Sequence, residues 1–177
     1  MSYIITYTQK HMDPLDPHPE EIDIHDIAHA LSLLCRGNGQ VKTFFSVAQH
    51  CIYCALEAEK RGYSPSVILG CLLHDGSEAY MADVPRPLKQ SMIEYQKAEN
   101  RLLDMIYHKF INKPLSEKEL MQIKEIDDDL LYFDLTELLN EKSNREKPLM
   151  HVHIDHTFTS FEDVEKQYLM LYEKWKQ

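Results

Sequence analysis

The sequence predicts an all-α fold, a helical bundle with at most a small β element, as a single domain over residues 1–177. Three observations support this prediction. Only 5 glycines occur and Pro/Gly clusters are few, which argues against an all-β protein with many turns. Apolar residues recur at helical spacing through most of the chain. A hydrophobic content of 44% and a charged content of 27% are ordinary for a globular domain.

The small β element is expected near the N-terminus or around residues 151–158. Residues 3–8 are β-branched and aromatic, which predicts a short strand or an extended arm. Residues 11–20 contain three prolines and predict a loop. The first helix follows, with Asp23 or Asp26 as its N-cap, and ends before the glycines of the RGNG sequence.

Start and stop signals place the remaining helices. Ser46 predicts the start of a second helix, which Gly62 ends. Pro65 suits the first turn of a third helix, which is expected to run to Met81 and is apolar enough to be central and buried. The later segments predict a break at 84–87 and an amphipathic helix at about 92–110. A capping box of Ser116 and Glu119 predicts the start of one or two further helices that reach 139. A polar linker at 141–149 and a last helix at about 160–175 are expected to follow.

Charge and cysteine content limit the classes of function. With a net charge of −10, the chain shows no basic face of the kind that binds duplex nucleic acid. The first residues lack a signal-peptide core, and no run approaches the ~18 apolar residues of a membrane helix. The chain is therefore expected to be cytoplasmic, with its 4 cysteines reduced. Cys51 and Cys54 form a C-x-x-C without the second pair of a zinc ribbon, and are expected to be buried thiols.

Polar residues interrupt the apolar central helices at His50 and at the doublet His74-Asp75. A buried carboxylate beside a histidine is unfavourable unless something compensates it, and a cation is the obvious compensation. Because helices two and three are joined by a short link, antiparallel packing would bring His50 near His74. A hydrogen-bonded His-Asp pair without a metal is the alternative interpretation.

A further carboxylate ligand is expected from the acidic run at residues 125–129. Neighbouring helical residues point about 100° apart, so only one of these aspartates can face a buried site squarely. The apolar pattern leaves Asp127 and Asp129 as rivals. Nitrogen and oxygen ligands in this mixture suit a divalent transition metal (Zn, Mn, Fe, Co or Ni) more than Ca.

Other charged residues surround the predicted metal site. Glu78 lies four residues after His74, on the same face of the predicted helix, where a carboxylate could orient or deprotonate a water molecule. Asp83 follows on an irregular segment. Four cations could neutralise phosphate oxygens, although each could also be a solvated surface charge: Arg36, Lys42, Arg86 and Lys89.

The remaining histidines carry weaker signals. His151, His153 and His156 resemble a small metal cluster, but their spacing also fits a strand with one solvated face. His25 and His29 are four residues apart, with an aspartate where a zinc protease has its glutamate, so this spacing is weak evidence for a metal site.

Four blocks of the sequence resemble the HD-domain phosphohydrolases, in particular the small bacterial and phage branch that contains 5′-deoxynucleotidases and deoxynucleoside triphosphate hydrolases. The blocks are IDIHDIAHALSLLCRGNG, FFSVAQHC, LLHDGSEAYMADVPRPLK and IKEIDDDLL. They occur in the family's order and cover most of residues 22–135. A His-Asp doublet alone is weak evidence, whereas four ordered blocks are strong. The resemblance implies an HD-domain helical bundle.

The resemblance also implies the ligand set. The aspartate of the Ile-Lys-x-x-Asp block falls on Asp127, which favours it over Asp129. Gly76 stands where relatives often carry alanine, and it could loosen the helix just after the doublet. The residues that match the family's metal ligands are His50, His74, Asp75 and Asp127.

Substrate-binding roles follow from the same resemblance. Glu78 matches the acid that acts on water or on the leaving oxygen. Asp83 matches a position near the sugar, where a carboxylate can favour deoxyribose. Arg36 and Lys89 match phosphate contacts. Gln40, near the expected nucleotide pocket, replaces a histidine common among relatives, which leaves the base preference open.

The sequence therefore predicts a metal-dependent nucleotide phosphohydrolase. The favoured reaction releases phosphate from deoxynucleoside 5′-monophosphates through hydroxide generated on the bound metal. Hydrolysis of deoxynucleoside di- or triphosphates, such as dATP, is the close alternative. A non-catalytic metal- or nucleotide-binding regulator and a helical interaction module are alternatives of other classes. The apolar helix at 92–110 could serve a homodimer or a higher homo-oligomer.

Overall fold

Helices account for most of the chain, as the sequence predicts. The computed structural model describes residues 3–176. The prediction of an all-α fold is confirmed, and within the described residues no helix is both long and apolar enough to cross a membrane. The helices are α1 (Ile24–Leu33), α2 (Val47–Lys60), α3 (Pro65–Leu73), α4 (Glu78–Met81), α5 (Arg86–Lys89), α6 (Ile93–Ile111), α7 (Glu117–Phe133) and α8 (Phe161–Trp175), with 3-10 turns at Pro19–Glu21 and Arg36–Gly39 and a π-helical turn at Asp134–Leu138.

The small β element lies at the N-terminus. Strand β1 (Ile4–Ile5) pairs antiparallel with β2 (His11–Met12). The loop predicted for residues 11–20 is therefore wrong over its first two residues, because the prolines begin only after Met12 and leave these two residues free to pair. The described chain has no strand at residues 151–158, the other expected position.

Capping side chains explain where several helices begin. Ser46 accepts the backbone N–H of Gln49, and the Gln49 side chain in turn accepts the backbone N–H of Ser46. The expected capping box at Ser116 and Glu119 is present in the same form. Ser64 caps α3, and a proline follows it at the first helical position. These starts fix which residues of α2, α3 and α7 face inward.

Residues before α1 are fastened to that helix by two aspartates. Asp23 caps α1, because its carboxylate accepts the backbone N–H of His25. Asp26, the other candidate cap, instead accepts the backbone N–H and the hydroxyl of Thr8.

The third helix is not continuous to Met81, which corrects the prediction. Helix α3 ends at Leu73, four residues form a turn, and α4 begins at Glu78. The Gly76 N–H bonds the Leu73 carbonyl at 2.8 Å, and a Cβ on Gly76 would lie 2.9 Å from that oxygen. This glycine therefore permits the tight turn. Consequently Glu78 starts a new helix instead of following His74 on one helical face.

The hydrophobic core is built around α2 and α3. Helix α3 is buried from Ser66 to Leu73, and the start of α2 lies beside the end of α3, as antiparallel packing requires. Helix α7 packs against both. A Cβ on Gly70 of α3 would overlap the side chain of Ile123 in α7, so the missing side chain lets these two helices approach closely.

The last helix supports the centre of the bundle. Helix α8 packs on α1, α2 and α3, with Val164 and Tyr168 buried. The Tyr168 hydroxyl donates to the Leu72 carbonyl at 2.6 Å. Because the last carbonyls of a helix lack partners within it, this bond satisfies a backbone group just before His74.

Candidate metal and phosphate site

The four side chains predicted as metal ligands converge where α2, α7 and the end of α3 meet. His50 Nε2 lies 3.2 Å from Asp127 Oδ1, and His74 Nε2 lies 3.5 Å from the same oxygen. His74 Nε2 is also 3.4 Å from Asp75 Oδ2. Ligand atoms held about 2.1 Å from one tetrahedral ion are roughly 3.4 Å apart. These separations therefore fit the ligand set of a single ion.

Unpaired polar atoms mark the same point. His74 Nε2, Asp75 Oδ2 and Glu78 Oε2 are buried, and none of them has a hydrogen-bond partner among residues 3–176. Unpaired buried polar atoms are destabilising. A divalent cation would satisfy the histidine and aspartate atoms directly, so the residues present fit a metal.

A second hydrogen bond orients each imidazole. His74 Nδ1 donates to the Cys71 carbonyl at 2.7 Å, which leaves Nε2 free to act as a ligand. His50 Nδ1 is 2.8 Å from Asp134 Oδ2, which likewise leaves Nε2 free. Metal-binding histidines typically donate their other ring N–H to a carboxylate or a backbone carbonyl in this way.

The surrounding carboxylates favour positive charge at this point. Burial opposes protonation of His50, but Asp134 and Asp127 outweigh it and raise the pKa of this imidazole. Burial also opposes protonation of His74, yet Asp75 and its other neighbours raise its pKa well above the usual range. Burial acts to raise the pKa of Asp127, but the two histidines hold it well below its usual value. The cluster therefore stabilises a cationic charge.

Asp127, and not Asp129, faces the cluster. Asp129 is buried on a different side of α7, where its oxygens lie 3.0 Å from Arg61 and 2.9 Å from Arg145. The structure thus places Asp127, the aspartate that the family resemblance favours, beside His50 and His74.

A cavity of about 490 Å³ opens beside the converged ligands. One part of its wall is charged and includes Arg36, Asp75, Glu78, Asp83, Lys89 and Asp127. The other part is aliphatic and consists mainly of Val41, Val84, Leu131, Leu135, Leu138 and Leu139. The cavity therefore offers polar groups to one end of a ligand and an apolar surface to the other.

Glu78 lies in the charged part of the wall. Burial is the main influence on its carboxyl group, and together with Asp75 and Asp83 it raises the pKa to about 10. Glu78 therefore carries a proton at neutral pH. The Lys89 ammonium, 3.8 Å from Oε1, is the nearest cation. A protonated carboxyl group in such a position can donate to a leaving oxygen.

Arg36 is held between two carboxylates. Cys35 and Ser46 form an isolated antiparallel bridge, which returns the chain to the start of α2 and places Arg36 beside the cluster. One guanidinium nitrogen lies 3.6 Å from Asp75 Oδ2, and the other lies 3.2 Å from Asp134 Oδ2. Burial opposes its charge, but these carboxylates raise its pKa further.

Lys89 ends the short helix α5 and belongs to a segment of the cavity wall, residues 82–92, which we call the wall segment. Its ammonium lies 2.7 Å from Glu99 of α6. The Tyr95 hydroxyl donates to the carbonyls of residues 81 and 82, and the Gln96 amide donates to the Lys89 carbonyl at 2.6 Å. Three side chains near the start of α6 therefore hold the wall segment.

Ala82 begins this segment in an unusual conformation. Its φ of 72° and ψ of 156° fall in a region that is populated almost only by glycine. The hydrogen bonds from Tyr95 lie on either side of this residue. The backbone that leads to Asp83 is thus strained and clamped.

Two predicted cavity residues lie further out. Gln40 is exposed and does not line the cavity, because the 3-10 turn directs Gly37 and Val41 to it instead. Arg86 lines the cavity but its side chain is 62% exposed, with Asp128 3.9 Å away.

Four of the other histidines, namely His25, His29, His151 and His156, have structural partners, and in the described chain the remaining histidines form no metal cluster with them. His151 contacts Glu57, a fully buried carboxylate that also accepts the backbone N–H groups of residues 151 and 152. His156 Nε2 is 3.4 Å from Asp134 Oδ1. His25 pairs with Asp23, and His29 pairs with Glu165.

Sequence reasoning missed two carboxylates that position predicted site residues. Asp134 bonds both Arg36 and His50, and its spacing of seven residues from Asp127 places it on the same helical face. That spacing was a usable signal. Glu99 fixes Lys89, but nothing in the sequence connects α6 with the site.

Comparison with known proteins gives two relatives and no function. No protein-family model matches the chain. The uncharacterized protein YfdR of Escherichia coli K12 is 35% identical over 111 residues, which are 62% of this chain and 59% of that protein. The uncharacterized protein RCAP_rcc00048 of Rhodobacter capsulatus is 32% identical over 106 residues, which are 57% of this chain and 54% of that protein. The chain thus spans less than two thirds of the length of these curated relatives.

Proposed function

We propose that this chain is a metal-dependent phosphohydrolase of the HD-domain type that releases phosphate from deoxynucleoside 5′-monophosphates. One observation carries the proposal. The side chains of His50, His74, Asp75 and Asp127 converge at ligand spacing beside a cavity whose wall also holds Glu78. A divalent ion bound by these four residues would supply Lewis acidity and lower the pKa of a water molecule.

The chain's own residues bind and orient the phosphate in this proposal. Arg36 and Lys89 face the cavity and stabilise negative charge on the phosphoryl oxygens. Glu78 donates its proton to the oxygen that leaves with the sugar. The same burial that keeps this proton on Glu78 at neutral pH supports an acidic role over a basic one.

Charge balance in the cavity supports a monophosphate substrate. Arg36 already shares its charge with Asp75 and Asp134, and Lys89 shares its charge with Glu99. Few uncompensated cations are left for the additional charges of a triphosphate. For this reason, release of tri- or diphosphate from a nucleotide stays the alternative to release of phosphate from a monophosphate.

The aliphatic part of the wall suits the nucleoside. Its leucine and valine side chains offer apolar contact to a base. Asp83 belongs to the charged part of the wall and is followed in the chain by Val84 of the aliphatic part, and the family resemblance gives it a position near the sugar. A carboxylate there is the proposed basis for preferring deoxyribose.

The test is a purified, manganese- or cobalt-loaded protein with a panel of nucleoside mono-, di- and triphosphates in ribose and deoxyribose forms. We expect phosphate release from deoxynucleoside monophosphates, and loss of both activity and bound metal in Asp75→Ala. Asp104→Ala is the matched control, because this aspartate on α6 is exposed and does not line the cavity.

Four results would count against the proposal. Absence of hydrolysis with every nucleotide, or full activity in Asp75→Ala, would reject it. Hydrolysis of triphosphates alone would replace the monophosphate reaction with the alternative. A nucleotide-induced rise in melting temperature without turnover would instead support a binding regulator.

A further inference from the structure

Two buried thiols adjoin the histidines of the proposed metal site, and the proposed reaction uses neither. Cys54 Sγ lies 3.5 Å from His50 Nε2. This sulfur and ring nitrogens of His50 and His74 all lie within 4.8 Å of one another. A similar group contains Cys51, His74 and Asp75. The C-x-x-C sequence therefore contributes to the lining of the metal site, on its inner side.

The spacing of the first group fits coordination through sulfur. An ion about 2.3 Å from a thiolate and about 2.1 Å from an imidazole nitrogen holds these two atoms roughly 3.6 Å apart when it is tetrahedral. The observed distance between Cys54 and His50 is 3.5 Å. His74 Nε2 supplies an independent sign of a missing partner, because it is buried and makes no hydrogen bond within the part of the chain that the structure describes.

We infer that Cys54, His50 and His74 form an inner site for a thiophilic divalent ion such as zinc or cadmium. The inference rests on the proposed function in one respect, since it uses the same two histidines. Thiolate ligands select such ions, whereas the carboxylates Asp75 and Asp127 suit manganese. The cysteine proton passes to solvent as the ion binds.

An ion at the inner site would inhibit the enzyme. The Cys54 side chain is buried, so an ion drawn toward it has less access to water and to a phosphate in the cavity. Since both histidines are shared, inner and outer ions exclude each other. Thiophilic ions are therefore expected to compete with manganese.

The experiment uses cadmium, whose bond to a thiolate gives a charge-transfer absorption in the ultraviolet. We expect this absorption on addition of one equivalent to the wild-type protein, and its loss in Cys54→Ser. Cys35→Ser is the matched control, because Cys35 belongs to neither group in the described chain and should leave the absorption unchanged. Zinc affinity in Cys54→Ser should fall by more than the ~10-fold typical for loss of an outer-shell partner, with a much smaller change for manganese.

The outcomes separate this inference from the proposed function. If cadmium binds the wild-type protein without the absorption, or if the absorption persists in Cys54→Ser, the inference is wrong and the proposed outer site stands. If the wild-type protein binds neither cadmium nor manganese, both proposals fail. Circular dichroism and Cys54→Ala show whether a loss of absorption reflects the missing sulfur or a misfolded variant.

Discussion

The two walls of the cavity are built in opposite ways. On the metal side, the ligands lie in the packed centre of α2, α3 and α7, and His50 is fully buried. On the substrate side, the wall segment of residues 82–92 is largely exposed and is held by side chains of one helix, α6. Binding of an ion by the proposed ligands would therefore be tied to the stability of the fold, whereas the wall segment can change with little effect on the core.

Removing the carboxylate behind His50 should give the largest effect on the metal side. Asp134→Asn leaves the His50 ring without its charged partner, and such outer-shell losses reduce metal affinity about 10- to 100-fold. Calorimetric titration with manganese measures this change. Asp129→Asn is the matched control, because Asp129 is also buried on α7 but binds Arg61 away from the site. Equal manganese affinity in wild type and Asp134→Asn would show that His50 needs no orienting group.

On the substrate side, an effect on catalysis without a change in metal affinity is expected. Glu99→Gln removes the charged partner of Lys89, and hydrogen bonds to charged groups contribute about 1.5–3 kcal/mol. We expect kcat/KM to fall by roughly tenfold or more, with unchanged metal affinity, because the ligands lie on other helices. Steady-state kinetics and a manganese titration measure the two quantities. Glu94→Gln, which alters an exposed ion pair on the same helix, should change neither. A parallel loss of metal affinity in Glu99→Gln would mean that the two walls are coupled.

The pH dependence of stability should differ between ion-free and ion-loaded protein. The pKa values of His50 and His74 are raised above 6.5 in the folded state, so their stabilisation is complete below about pH 6.5 and is lost as the pH rises through the folded pKa. Glu78 acts in the same direction. Its pKa is raised to about 10 in the folded protein, so the carboxyl group keeps its proton in the folded state and loses it at lower pH in the unfolded state. A rise in pH between these two values therefore favours unfolding.

Thermal unfolding between about pH 6 and pH 9 tests this dependence. The chelator-treated protein should melt at lower temperature as the pH rises. In the manganese-loaded protein the ion takes the place of the protons, so the difference between the two melting temperatures should widen with pH. A difference that stays constant over this range would mean that the ion and the protons do not compete for the same groups.

The smallest expected effect concerns Ala82. Strain in this backbone region amounts to about 1–3 kcal/mol, and a glycine at position 82 would relieve it. Glycine also has greater freedom in the unfolded chain, which offsets about 0.5–1 kcal/mol of this stabilisation. Ala82→Gly should therefore stabilise the protein by roughly 1 kcal/mol, as measured by denaturant unfolding. Ala79→Gly, in the neighbouring helix α4, should instead destabilise it by about 0.5–1 kcal/mol. If both variants are destabilised, the conformation of Ala82 is not strained.

Local chemistry made much of the fold predictable. Ser46 and Ser116 specify helix starts through their own neighbours, so their caps could be predicted from four residues of sequence. The meeting of His50 and His74 followed from two apolar helices joined by a short link. In both cases the deciding interactions lie close together in the chain.

Distant contacts explain the features that sequence reasoning left open or missed. The choice between Asp127 and Asp129 depends on Arg61, which lies in another helix and holds Asp129 away from the site. The break after Leu73 depends on how tightly the backbone closes around Gly76, which periodicity does not reveal. Glu99 reaches the site because α6 packs beside the wall segment, and the sequence of α6 does not predict this packing.

The hydrogen bond from Tyr168 to the Leu72 carbonyl has a consequence for the order of events during synthesis. Every proposed ligand leaves the ribosome before α8 does, yet α8 completes the packing around the end of α3. Contacts between residues this far apart in sequence form late in folding. A nascent chain that ends near residue 160 should therefore carry all four ligands and still bind manganese poorly, until the final helix docks.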